Sequence, residues 1–133
     1  MNPESTQHSV LLLDDDKFLL DMYGMKFGRE GFVVQTCFST HDALNVLRQG
    51  FVPDVILFDL VMPGEDGFAF LQTLRKERLA EHAIKIALTN QSSDPEKAKA
   101  TELGADKFIV KATMIPSEVV QTVRDTISAK KSA

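Results

Sequence analysis

The chain has 133 residues, 44% of them hydrophobic and 26% charged, with net charge −4. That is enough for one domain with a packed core and too short for two ordinary ones. The acidic balance, with a pI near 5.3 and no Lys/Arg run longer than two, points away from nucleic acid. The apolar runs fall far short of the roughly 20 residues that span a bilayer, and the polar start does not resemble a signal peptide. A single cysteine, Cys37, excludes an internal disulfide, which fits a reducing cytoplasm; it is read as strand packing.

Residues 1–8 read as a disordered polar lead. Val10 to Leu13 form a short continuous apolar run, the mark of a strand buried on both faces, and it ends in Asp14-Asp15-Asp16. The period then changes. Leu19, Met22, Tyr23 and Phe27 share one helical face, and Gly28 and Gly31 end that helix. Asp16 is expected to face solvent or cap it. Phe32 to Thr36 is rich in β-formers. Ser39 caps a second helix whose stripe is Ala43, Leu44 and Leu47, closed by Gly50.

Residues 54–58 make the central strand, closed by Asp59 and followed by the turn Met62-Pro63-Gly64. Helix follows from Asp66 to about Glu77, with Phe68, Leu71 and Leu74 inward. Ile84 to Leu88 is a fourth strand ending at Thr89. Asp94-Pro95-Glu96 reads as N-cap, Pro at N1 and acid in the first turn, and that helix stops at Gly104. Lys107 to Val110 is a fifth strand ending at Lys111. The last helix starts near Pro116, turns Val119, Val120, Val123 and Ile127 inward, and gives way to a tail at 131–133. Five strand–helix repeats with short connections predict one domain over 9–130, a (βα)5 doubly wound parallel sheet.

In such a sheet the carboxyl ends of all strands lie along one edge, where ligands bind. Four strands end on Asp14/Asp15, Asp59, Thr89 and Lys111. Three carboxylates drawn together repel, by on the order of 3 kcal/mol per pair at ~5 Å and an effective dielectric of about 20. All-oxygen ligands without His or thiolate suit Mg²⁺, which commonly serves phosphate chemistry. Lys111 supplies a point charge and Thr89 a hydroxyl for phosphoryl oxygens, and one of the acids can act as nucleophile, forming an aspartyl phosphate. Singly, each has a bland reading: a solvated Lys, a capping Thr, an acidic loop. Their conjunction at successive strand ends favours a site.

Those residues resemble the response regulator receiver domain of two-component signalling over about residues 8–130. The resemblance rests on Val10 to Asp16, on Pro53 to Asp59 with Met62-Pro63 and Asp66-Gly67, on Thr89 at the family's hydroxyl position and on Lys111 at its lysine position. It implies a flavodoxin-like sheet of order 2-1-3-4-5. It implies that Asp59 accepts a phosphoryl group from a sensor histidine kinase or histidine phosphotransfer protein, and that the domain catalyses its own phosphorylation and dephosphorylation without turning over an external substrate. Mg²⁺ would be held by Asp15, Asp59 and the backbone carbonyl of Val61, with Asp14 acting mainly through water. Lys111, Thr89 and Asn90 would meet the phosphoryl group, and Thr89 with Phe108 would switch the face made by the fourth helix, fifth strand and fifth helix. Phe108 has no hydroxyl, so its ring is expected partly inward without phosphate.

Two positions depart from the pattern: Asn90, where Ala or Gly is usual, and Ala112, where proline commonly follows the lysine. The Lys111–Ala112 peptide is accordingly expected trans. The output is expected to be a downstream protein target or an effector domain, with no membrane or nucleic-acid partner, and the sequence fits both a stand-alone receiver and a domain of a longer protein. Two other readings compete. A phosphatase or phosphotransferase on an aspartyl phosphate would want an Asp two residues after the nucleophile, where Val61 stands; a degenerate receiver would serve only as a binding module, against which the complete acid, hydroxyl and lysine set argues.

Overall fold

Apolar runs bounded by turns become five strands, and the stretches between them become five helices. The computed structural model describes residues 7–62, 66–90, 93–111 and 114–132, with Lys131 and Ser132 described by backbone alone. In chain order these are β1 (Ser9–Leu13), α1 (Lys17–Arg29), β2 (Val33–Cys37), α2 (Thr40–Arg48), β3 (Val55–Asp59), α3 (Gly67–Glu77), β4 (Ile84–Thr89), α4 (Asp94–Glu102), β5 (Lys107–Val110) and α5 (Pro116–Ser132). The strands form one parallel sheet of order β2-β1-β3-β4-β5, the flavodoxin-like arrangement expected. Pro63 and Ala112 lie outside the described residues, and with them the turn after Asp59 and the Lys111–Ala112 peptide.

Side chains two apart on a strand share a face, so the sheet divides the core in two. Leu11, Leu13, Ile56, Phe58 and Ala87 pack against α2, α3 and α4. Val10, Leu12, Val55, Leu57, Ile86, Leu88 and Ile109 pack against α1 and α5. Val55 to Phe58 are fully buried, as an unbroken apolar run between two helical layers requires.

The caps follow the sequence with one shift. Asp16, Ser39 and Asp66 each accept an N–H of the first turn of α1, α2 and α3. For α4 the cap is Ser93, one residue before the expected Asp94: its hydroxyl accepts from Glu96 N–H while Glu96 reaches back to Ser93 N–H. A reciprocal box satisfies two orphan donors, and Asp94 at the cap would satisfy one. Gly28 does not end α1, which runs to Arg29; the left-handed residue is Gly31, at φ +92.

Two apolar faces bury residues that spacing alone does not pick out. Met22 is exposed and Leu20 takes its place beside Tyr23 and Phe27, because the stripe that meets the sheet is 20, 23 and 27. In α3 Phe70 is fully buried against Phe58, ring centroids 5.8 Å apart, whereas Phe68 is half-buried with the Lys99 ammonium 4.6 Å above its ring.

Candidate functional site

Register assembles the site. Leu13 pairs with Phe58, so Asp14 and Asp59 follow side by side; Asp59 pairs with Leu88, one before Thr89; Thr89 pairs with Val110, one before Lys111. The sequence of helix connections places β2 on one side of β1 and β3 on the other, so the edge between β1 and β3 is where strand order reverses and a crevice opens. Asp14, Asp15, Asp59, Val61, Asn90 and Lys111 line a cleft of about 540 Å³ there. Asp16 and Leu19, which sequence spacing assigned only to a cap and a helix stripe, complete its wall.

Gly67 sets the depth of the site. A Cβ at this position would lie 2.6 Å from the Asp59 carbonyl oxygen and 2.8 Å from Leu60 Cα. Only glycine lets the start of α3 lie directly on the end of β3, where Gly67 N–H donates to Leu60 O at 2.9 Å.

The charges are nearly dry. Asp14 is 0% exposed, Asp59 7% and Thr89 4%, while Asp15 is exposed. Lys111 Nζ lies 2.5 Å from Asp14 Oδ2 and 3.3 Å from Asp59 Oδ2. The closer contact is the ion pair that neutralises Asp14 Oδ2. Asp14 Oδ1 accepts Asp16 N–H at 2.9 Å, and Asp59 Oδ1 accepts Val61 N–H at 3.2 Å.

Burial pushes both carboxyls above the usual range. Lys111 opposes this for Asp14, whereas Asp14 itself adds to the rise at Asp59. Burial pulls Lys111 down, but the two carboxylates outweigh it and the ammonium is held above its ordinary value. Tyr23, read from sequence only as helix stripe, is also within reach of these charges; burial chiefly raises its phenol, with Lys111 and Asp14 acting in opposite directions.

Two observations test whether the residues fit a cation and a phosphoryl group. One oxygen from each of Asp14, Asp15 and Asp59 lies within 4.8 Å of the others, a set of hard oxygen donors carrying three charges against one lysine. Beside them Thr89 Oγ1 is buried with no hydrogen-bond partner among the described residues, although a buried hydroxyl ordinarily has one. Both features fit an anion-and-cation ligand pair. Phe108 is half-buried and packs against the α3/α4 side of the core.

A family model described as response regulator receiver domain matches residues 10–124. Among solved structures, the chain is similar to a receiver domain protein of Methanospirillum hungatei, with TM-score 0.85 and 23% identity over 96% of this chain and 98% of that one. It is similar to the chemotaxis response regulator CheY4 of Vibrio cholerae, with TM-score 0.80 and 26% identity over 92% and 99%. A Francisella response regulator receiver domain matches with TM-score 0.80 and 27% identity over 93% and 99%.

Proposed function

Because the chain belongs to the response regulator receiver domain family, we propose that Asp59 is its phosphoryl acceptor and that a histidine of a sensor kinase or phosphotransfer protein is the donor. The observation that carries this reading is the environment of Asp59: a strand-end carboxylate at the cleft floor, beside Lys111 and an unpartnered Thr89 hydroxyl. An Asp59 oxygen attacks phosphorus, the P–N bond breaks, and the imidazole leaves with its electron pair.

Asp14, Asp15, Asp59 and the Val61 carbonyl would hold Mg²⁺, which when bound supplies positive charge against the carboxylates and the phosphoryl oxygens. The chain's own groups do the rest. Lys111, already within 3.3 Å of Asp59, pairs with the transferred group. Thr89 donates its hydroxyl, which has no partner among the described residues, and Asn90 borders the cleft mouth. As Thr89 turns toward phosphate, Phe108 fills the space it leaves, changing the surface of α4, β5 and α5. The ligand shifts this balance only by its differential affinity for the two arrangements.

Acetyl phosphate with Mg²⁺ should add one phosphoryl group to the wild type by intact mass and none to Asp59→Asn. Equal labelling of the variant would remove Asp59 from this role. A binding module without phosphorylation would leave both proteins unlabelled.

A further inference from the structure

A lysine stands in the core face of a central strand. On β4, half-buried Lys85 pairs with Ile56 and shares a face with Thr89 and with Ala87, which packs against α3 and α4. It is four residues from Thr89, about 13 Å at ~3.3 Å per residue, and so belongs to the opposite end of the sheet from Asp59. Its ammonium donates to Ala80 O at 2.9 Å and Ala83 O at 3.1 Å, which leaves one of its three donors.

The carbonyls it meets belong to the α3–β4 loop, where Arg78 and Ala80 both hold left-handed backbone, φ 56 and 51. Non-glycine residues in that region are strained and persist where the surroundings over-determine them. Here they wrap the loop around a cavity of about 210 Å³. Leu71, Leu74, Leu79 and Leu103 form its apolar lining, and Arg75 and Lys85 bring two cations to it.

Neither cation has a carboxylate within ion-pair distance among the described residues. Arg75 gives one N–H to Glu102 O, at 3.0 Å, out of five donors. Glu81 is the single acid in the lining, so the cavity carries one net positive charge. Lys85 is half-buried and Arg75 exposed; burial chiefly lowers the Lys85 ammonium below its usual value, with Lys130 and Arg75 adding to the fall and Asp106 and Glu81 opposing it.

We propose that this cavity binds a small monocarboxylate with a short apolar tail, its head between Lys85 and Arg75 and its tail among the leucines. One net charge matches a monoanion rather than a phosphate dianion. The volume, below the roughly 300–1,000 Å³ of drug-sized sites, limits the tail to a few carbons. A ligand there would bridge the ends of α3 and α4, and α4 buries only Ala100 of its own length.

The test uses the wild-type chain without Mg²⁺ or phosphoryl donor, so it stands apart from the Asp59 assignment. Hexanoate and 1-hexanol are titrated separately while backbone amide resonances are followed. Hexanoate should give saturable shifts centred on Leu74, Leu103 and Gly104, with affinity at least ten-fold above hexanol. Lys85→Met should lower hexanoate affinity about ten-fold, which corresponds to about 1.4 kcal/mol. Equal affinity for hexanol, shifts centred elsewhere, no saturation, or an unchanged Lys85→Met response would each overturn the site. If Lys85→Met does not fold, the comparison of the two ligands on wild type decides.

Discussion

Lys111 is held more closely by Asp14 than by Asp59, at 2.5 Å against 3.3 Å. The acid next to the proposed acceptor thus anchors the lysine, and Asp59 faces the cleft with the weaker claim on it. A lysine placed this way is already beside the reacting carboxylate and needs only to shift its allegiance when the negative charge there grows.

Removing the lysine should expose what it compensates. Lys111→Met leaves Asp14 and Asp59 buried without their cation, and breaking a buried pair typically costs about 3–5 kcal/mol. Both acids have folded-state values raised by burial. Their folded state therefore binds more protons than the unfolded one between the ordinary carboxylate value and the raised one. Stability falls as pH rises through that window. The variant's deficit in urea melts should be large at pH 7 and shrink toward pH 4. A pH-independent deficit would mean that lost packing, not charge, is the cause.

Thr89 gives the sharpest separation of stability from function. Its hydroxyl is buried and has no partner among the described residues, and leaving such a group unsatisfied costs about 1–3 kcal/mol. Thr89→Val keeps the shape and removes the hydroxyl. The free protein should gain about 1 kcal/mol in chemical denaturation while affinity for beryllofluoride with Mg²⁺ drops. A loss of stability in Thr89→Val would show that the hydroxyl has a partner in solution.

Magnesium should raise the melting point. A cation bound only by the folded state adds RT ln(1 + [L]/Kd), about 1.4 kcal/mol at ten times Kd, or roughly 3–6 °C for a domain of this size. Asp15 is exposed, so solvent screens its repulsion and Asp15→Asn should melt close to wild type without metal. With metal it should show little shift. A flat wild-type titration at constant ionic strength, or an equal response in the variant, would count against a cation here.

Gly67→Ala should damage the site through the backbone. Its methyl would press on the Asp59 carbonyl and Leu60 Cα, atoms that cannot rotate away. Overpacking of this kind costs about 1–3 kcal/mol, and the displaced strand end should also weaken the Mg²⁺-dependent shift. A variant of wild-type stability and metal response would show that α3 can retreat freely.

Much of this was legible in the chain itself. Strands such as Val55 to Phe58 must be apolar throughout because helices cover both faces, and that same rule makes Asp59, Thr89 and Lys111 conspicuous as polar closures. The alternation of periods then makes the sheet parallel, its order following only from the family resemblance, and a parallel sheet brings those closures to one edge. Local pattern goes no further. It could not choose Leu20 over Met22 or Phe70 over Phe68, since each pair differs in what lies across the core rather than in its neighbours along the chain, whereas Ser93 with Glu96 three residues on is a local pattern. That Lys111 favours Asp14, that the Thr89 hydroxyl has no partner among the described residues, and that Lys85 stands with Arg75 over a leucine-lined cavity are set by register and loop shape. Those contacts join residues distant in sequence, at distances only the folded backbone fixes.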